Sequence, residues 1–313
     1  MSTADRLSVD FVPLVRGLIS PTTERQREHR RIIGLSIPFI LLAVFGGIIP
    51  LWEMAKISVS TSQFDTGGFT MEFYRQLLTV QFGFYVFNTL WFATVTTIAS
   101  VGVGIAISHA LEKYDLPYEG LLVTLISFPI SLPGIVAAFM IIILFGNTGL
   151  VTNFATWLTT DAPLIGSVIP ASSATDIAVA TGIVGLFFGY CYSMIPRATF
   201  LLRGSYAEVN TDAEEAARAL GASPLATFRY VTLPQIRPGI VGAFILTFRT
   251  ATAIFGTVLV LKALDVLTLR ISRLINVSFN IQGASAMSVV FFIFTIVFTF
   301  IGLRYTSAEV GGS

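Results

Sequence analysis

A chain of 313 residues that is 54% hydrophobic and only 12% charged, with a mean hydropathy of +0.80, has too little polar surface to cover a soluble core of its size. Its formal net charge of +1 supplies no basic field for a nucleic-acid backbone, and a single cysteine, Cys191, excludes a disulfide framework within one chain. The apolar excess lies in long uncharged runs, and a hydrocarbon slab about 30 Å thick takes about 20 such residues per helix.

The first 31 residues carry Asp5, Asp10, Glu24 and Glu28, and Arg25, Arg27, Arg30 and Arg31 abut the first apolar run, so they do not read as a cleavable signal peptide. Leu7 to Ile19 is weakly amphipathic and Pro21 ends it; a helix lying on the membrane face and a disordered tail both fit. Thr23 and Gln26 have the spacing of a capping box on a helix entering the first apolar run. Six spans are predicted, at about 32–54, 84–110, 120–145, 178–202, 238–261 and 285–303. Each is read as a helix, because lipid offers no partner to an unpaired peptide group.

The second span repeats small residues every four positions, Gly102, Ala106, Ala110 and Ser100, Gly104, Ser108, which let helix backbones approach closely. Pro129 and Pro133, flanked by Ser127 and Ser131, interrupt the third span; a bent helix lining a path and a kink that only improves packing are both open. Leu150, Val151, Phe154, Trp157 and Leu158 recur at helical spacing before Pro163 and Pro170, which predicts a short interfacial or re-entrant helix. Phe187, Tyr190 and Tyr192 on the fourth span read as packing residues, with a path-lining role for one of them the alternative. Arg249 lies deep in the fifth span, where a charge must face water or the bundle interior; it either lines a path and attracts an anion or has a structural role. His29 and His109 are the only histidines and lie far apart, so no metal site is expected.

Charge placement sets the orientation. If the N-terminus is inside, the inner segments hold 13 Lys and Arg, among them Lys113, Arg197, Arg203 and Arg218, and the outer ones hold Lys56, Arg75, Lys262, Arg270 and Arg273. Both termini are therefore expected on the cytoplasmic side.

The inner loop from Tyr206 to Arg237 carries the most local structure. Thr211 or Asp212 can cap a first helix, and Asp212, Glu214 and Glu215 suit the dipole of its first turn. Ala213, Ala216, Ala217 and Leu220 make a flat face, and Gly221 stops the helix. Ser223 and Pro224 start a second helix to about Tyr230, which Pro234 and Pro238 are expected to end before the fifth span. A mere connector would be flexible and low in complexity, whereas this loop has caps, breaks and an apolar face suited to being held against a partner.

Glu215, Ala216 and Ala217, then Gly221, then Val231, Leu233 and Pro234 stand at the offsets of a known signature. The loop resembles the conserved cytoplasmic loop of binding-protein-dependent ABC importer permeases, with Val231 in place of isoleucine. The resemblance implies an all-α integral membrane protein of about six transmembrane helices, with the type I ABC importer permease (MetI-like) fold. It divides the chain into a cytoplasmic segment 1–31, a permease domain 32–304 containing the coupling loop 206–237, and a tail 305–313. Implied partners are two ATPase subunits that bind ATP and Mg, a second permease chain, alike or different, and an extracytoplasmic solute-binding protein, all at the cell inner membrane. In such a loop Glu215 meets the rim of a groove on the ATPase, Ala216 and Ala217 allow close packing, and Gly221 sets the bend.

The resemblance also makes Pro129, Ser131, Pro133, Arg249 and Phe255 candidates for the translocation path. The proline-rich third span followed by Phe145, Gly146 and Asn147 is similar to permeases for ferric iron, polyamines, sulfate and phosphonates. Related permeases often carry an acid just before the aromatic-glycine pair that is Phe255 and Gly256 here; Ile254 takes its place and favours an anionic or zwitterionic solute. None of Lys56, Lys113 and Lys262 follows a glycine, so a phosphate-binding loop is absent and ATP hydrolysis is expected elsewhere than in this chain. An ion-coupled secondary transporter, the alternative, needs ionisable residues at mid-span, and only Arg249 qualifies. A membrane enzyme needs a nucleophile–base pair or paired carboxylates, which are not apparent.

Overall fold

The computed structural model describes residues 24–62, 67–146, 148–160 and 182–310. The expectations for Leu7 to Ile19, Pro21, Thr23, Asn147, Pro163 and Pro170 lie outside the described residues. The chain divides into two compact units, Met1–Thr70 and Met71–Ser313.

In the first unit α1 (Glu24–Ala43) passes through a π turn (Val44–Ile48) into α2 (Ile49–Ser58). Pro50 has no amide hydrogen, and Gly46 and Gly47 let the backbone widen just before it. A single bridge, Ser60 to Phe69, follows, with the Thr61 and Thr70 amides donating to the Gly68 and Val59 carbonyls at 2.9 and 2.7 Å.

The second unit runs through α3 (Glu72–Gln76), α4 (Val80–Lys113), α5 (Glu119–Ser131), α6 (Gly134–Phe145), α7 (Leu150–Thr160), α8 (Ile183–Tyr206), α9 (Thr211–Ala219) and α10 (Pro224–Thr227). A second π turn (Phe228–Thr232) leads into α11 (Leu233–Ala253), followed by α12 (Gly256–Leu261), α13 (Leu267–Asn276) and α14 (Ile281–Val310). Among the described residues, five helical stretches are long and apolar enough to cross a membrane: Arg31–Ser58, Val80–Lys113, Gly134–Phe154, Pro224–Leu261 and Ile281–Gly302. The predicted fourth span is the 24-residue α8, made more polar by Arg197 and Arg203. Helices thus occupy all six predicted places, and α7 occupies the place of the predicted short helix.

α4 opens on Thr79, whose hydroxyl accepts from the Phe82 amide at 3.3 Å, and runs for 34 residues, about 50 Å. One of its two small-residue rows packs and the other does not. Ser100, Gly104 and Ser108 are buried, whereas Gly102 and Ala106 are exposed. A Cβ on Gly104 would stand 3.1 Å from both Ala198 Cβ and Thr199 N, and the Ser108 hydroxyl donates to the Thr199 carbonyl at 2.8 Å. α4 and α8 therefore meet backbone to backbone. Around them Phe92, Leu186, Tyr190, Met194, Phe248, Val258 and Leu269 form the largest buried cluster, and the packing reading of Tyr190 stands.

The third span is broken rather than bent. Pro129 stays inside α5, but Leu132 is extended at ψ 130° and Pro133 becomes the cap of α6. The Pro133 ring both removes a donor and disfavours helical geometry at Leu132. The fifth span has a matching break at Ile254, with ψ 123°, between α11 and α12. The two breaks meet: the Thr257 hydroxyl donates to the Gly134 carbonyl at 3.2 Å, and a Cβ on Gly256 would lie 3.0 Å from Ile135 N. Irregular backbone at membrane depth is tolerated where it is buried in protein or lines a wet cavity, and each interrupted helix here offers its partner such cover. α13 buries Leu267, Leu269 and Leu274; the first and last pack with Tyr85, Ala284 and Met287.

Candidate functional site

The loop expected to carry the function is built on the ends of α4, α8 and α11. Tyr206 closes α8 and is buried with Val209 and Ile236, a cluster that anchors the loop to the first turns of α11. Asn210, not Thr211 or Asp212, caps α9: its side-chain oxygen accepts from the Ala213 amide at 3.2 Å, and its own amide donates to Gln235 Oε1 at 2.9 Å. The sequence reading offers Thr211 or Asp212 and misses Asn210, whose amide is held by Gln235 on α11, a contact far off in sequence.

α9 ends in a Schellman motif. The Gly221 amide donates to the Arg218 carbonyl at 2.9 Å and the Ala222 amide to the Ala217 carbonyl at 3.0 Å, with Gly221 at φ +89°. Only glycine takes that conformation without a Cβ clash, so this position fixes the turn into α10. Ser223 caps α10 through the Ala226 amide at 3.3 Å, with Pro224 in the first turn. The second loop helix does not stop at Pro234. It continues through the π turn into α11, the Leu233 amide reaching back to the Phe228 carbonyl, and Pro238 lies inside α11. Pro234 sits within the first two positions of α11, where a missing donor costs little.

The acidic residue that organises the loop is Glu214. Its side chain is 5% exposed and pairs with Lys113 Nζ, itself 8% exposed, at 2.7 Å; the Thr232 hydroxyl donates to its other oxygen. Burial alone would push this carboxyl up, but the hydrogen bonds from Lys113 and Thr232 and the positive charges of Lys113 and Arg218 outweigh it and hold it below the usual carboxylate range. One carboxylate therefore ties α9 to the end of α4 and to the π turn. His109, one turn before Lys113, sits among Tyr114, Tyr206 and Phe228 with ring centroids 5.9, 5.8 and 4.8 Å away. These contacts make it part of the same structural support.

With Glu214 turned inward, the predicted alanine face divides. Ala213 and Ala217 are half-buried beside Glu214, whereas Glu215, Ala216 and Leu220 are exposed. Val231 and Leu233 are half-buried and Pro234 is exposed. Leu220, Leu225 and Tyr230 stand 90%, 75% and 73% exposed at the loop's tip. The loop thus has a bound side, centred on Glu214, and an open side carrying Glu215, Gly221 and three large exposed apolar groups. The sequence reading missed Glu214 and Lys113; the only signal was that Lys113 is the sole lysine at that end of any span.

The path candidates do not form one cluster. Ser131 and Pro133 are exposed and Pro129 half-buried at the break of the third span. Phe255 is 37% exposed at the break of the fifth, beside Gly256, which contacts Gly134. Arg249 is exposed, four residues before the end of α11 at Ala253, and its guanidinium makes no hydrogen bond or ion pair among the described residues. Arg197, assigned above to an inner segment, lies within α8, nine residues before its end and so about 13 Å inside the helix.

A bundle of apolar helices interrupted at paired breaks and carrying a capped and tethered double-helix loop defines a multi-pass membrane protein. The chain belongs to the family described as binding-protein-dependent transport system inner membrane component, which matches residues 100–310. It is accordingly a permease component of an ABC importer and a multi-pass inner-membrane protein.

The chain is 27% identical over 254 residues to the sulfate transport system permease protein CysW of Synechococcus elongatus, covering 81% of this chain and 79% of that protein. It is 27% identical over 205 residues to the thiamine transport system permease protein ThiP of Brucella abortus, covering 65% of this chain but only 35% of that one. In fold it is similar to a bacterial ABC transporter involved in alginate import, with a TM-score of 0.67 and 15% identity over 91% of this chain and 96% of that one. A methionine ABC transporter in an inward-facing conformation gives a TM-score of 0.53 and 17% identity over 76% of this chain and 96% of that one.

Proposed function

We propose that this chain forms half of the translocation path of an ATP-driven importer of a small polar or charged solute, and that α9 and α10 transmit the motion of a separate ATPase. The observation that carries this is the construction of the loop. Its bound side is locked by Glu214 to α4, and its second helix is continuous with α11, so force on the open tip is delivered to two spans without slack. The exposed Leu220, Leu225 and Tyr230 supply an apolar contact, and Glu215 supplies a charge beside it. Lys and Arg placement supports a cytoplasmic loop and cytoplasmic termini. Two ATPase subunits bind there, holding ATP and Mg, and this chain performs no chemistry. A second permease chain completes the path, and a solute-binding protein delivers the solute from outside. The relatives named for sulfate and thiamine transport support a small charged solute.

Affinity-tagged chain expressed with its neighbouring ATPase should bring that ATPase down. Glu215→Arg and Leu220→Asp should abolish the co-purification while the chain still reaches the membrane. Retention of the ATPase at wild-type level by both variants would sink the coupling assignment.

A further inference from the structure

We infer that the seam between α4, α13 and α14 is a binding site for an anionic phospholipid, with its phosphate held by Arg270 and one acyl chain lodged deeper in the seam. Two cavities lie on this seam and share Phe82. One, of about 150 Å³, is walled in part by the polar residues Gln81, Tyr85, Arg270 and Asn280. The other, of about 210 Å³, is lined by apolar residues, among them Val86, Leu90, Leu267 and Phe294. Its one polar side chain, Thr89, is already satisfied: the hydroxyl donates to the Tyr85 carbonyl at 2.7 Å and accepts from the Leu267 amide at 2.9 Å.

The two cavities follow one another in the same order along all three helices. α4 lines the polar one with Gln81 and Tyr85 and the apolar one with Val86 and Leu90. α14 does so with Gly283 and Met287, then Val290 and Phe294; α13, running the other way, does so with Leu274 and Arg270, then Leu267. At the helical rise of 1.5 Å per residue the cavities are centred about 10 Å apart. The second and sixth predicted spans open at about 84 and 285, within the stretches that line the polar cavity. That cavity therefore sits at the membrane–water boundary, and the apolar one lies inside the hydrocarbon. Phe87, Ile293 and Phe294 are exposed beside the apolar cavity, which accordingly opens onto the outside of this chain.

Arg270 is the only charged residue lining either cavity. It is half-buried, its guanidinium lies 5.6 Å over the Tyr85 ring, and it has no carboxylate partner among the described residues. Arg273, one turn further on, shows the contrast: it pairs with Asp265 at 2.6 Å. Stacking on the ring fixes the guanidinium and leaves the donors on its edge for a phosphate. The Gln81 amide, donating to the Tyr85 hydroxyl at 3.3 Å, steadies that ring. Asn280 accepts from the Gly283 amide at 2.8 Å through its side-chain oxygen, so its amino group is left to donate. A ligand that suits both cavities must carry negative charge at one end and hydrocarbon about 10 Å away, at the depths where a phospholipid carries them. A soluble anion leaves the apolar cavity unfilled, a neutral lipid leaves Arg270 without a counter-ion, and a partner helix would need an acid at the level of Arg270.

The test uses the full-length chain, purified in mild detergent with the ATPase expressed beside it, and reads lipid binding by native mass spectrometry and thermal unfolding. Phosphatidylglycerol should stay bound at one molecule per permease chain, about five- to tenfold more tightly than phosphatidylcholine, and should raise the melting temperature further. Arg270→Gln should erase that preference and leave phosphatidylcholine binding unchanged. Lys262→Gln, which removes an exposed charge outside both cavities, should keep the preference. Val290→Phe, which fills the apolar cavity, should weaken the binding of both lipids. Soluble glycerol phosphate at the same concentration should give no thermal shift. Equal affinity for the two lipids, or a preference that survives Arg270→Gln, overturns the inference. So does glycerol phosphate binding as tightly as the lipid, or exclusion of both lipids because a second permease chain covers the seam. Where Arg270→Gln fails to accumulate, undiminished phosphatidylglycerol binding by Val290→Phe overturns it instead.

Discussion

Glu214 and its neighbour Glu215 differ by one position and have opposite surroundings. Glu214 closes the first turn of α9 and Glu215 follows it, both near the helix N-terminus, so the helix dipole does little to separate them. The choice is tertiary: Lys113, brought there by the length of α4, turns Glu214 inward and leaves Glu215 on the open side. Breaking a buried pair leaves an uncompensated charge, so Glu214→Gln and Lys113→Met should each destabilise the loop by about 3–5 kcal/mol, with the double variant losing less than the sum. Amide hydrogen exchange across α9 and α10 measures this directly. The pH dependence has a definite sign. A carboxyl held below its ordinary range stabilises the folded loop fully above that range and ceases to do so as pH falls through its lowered value. Exchange protection of α9 should therefore hold through neutral and mildly acidic pH, drop only under strongly acid conditions, and become insensitive to pH in Glu214→Gln. Gly221→Ala places a Cβ at φ +89° and should cost about 1–2 kcal/mol by the same measurement, although open space surrounds the position.

At the level of elements, the sequence marks where helices are disturbed more reliably than how. Pro133 and Pro234 look alike in sequence and behave in opposite ways. Pro133 breaks its span because Leu132 before it is forced into an extended conformation. Pro234 is absorbed because the π turn Phe228–Thr232 widens the helix just before it, and Pro50 is preceded in the same register by the π turn Val44–Ile48. A residue count cannot tell these cases apart; the wider turn depends on what the neighbouring carbonyls can reach. The Ile254 break carries no proline and was not legible at all. What fixes it is packing against the third span, where Gly134, Gly189 and Gly256 admit the close approach: a Cβ on Gly189 would stand 2.9 Å from a methyl of Thr257. Gly134→Ala, with its Cβ 3.1 Å from Thr257 Oγ1, should lower the melting temperature of the detergent-solubilised chain, at a cost of about 1–3 kcal/mol, and Gly256→Ala should do the same.

Across the whole chain, the membrane class, the places of the spans and the loop signature were legible because each rests on composition or short-range spacing. The facing of side chains was not, since helices that are apolar all round carry no stripe to say which side meets protein. The row Ser100, Gly104 and Ser108 packs against α8 while the parallel row at Gly102 and Ala106 does not, and only the assembled bundle distinguishes them. The exposed tip of the loop has one further consequence. Leu220, Leu225 and Tyr230 are large apolar groups left bare on one loop, the kind of feature that proteases and chaperones recognise on orphaned subunits. On the coupling proposed above, the ATPase covers these groups, so a copy made in excess of it would leave them bare and cellular turnover would keep the two in step. Pulse–chase labelling in cells depleted of the ATPase should show the chain's half-life shorten, and Leu220→Ser with Leu225→Ser should lengthen it again.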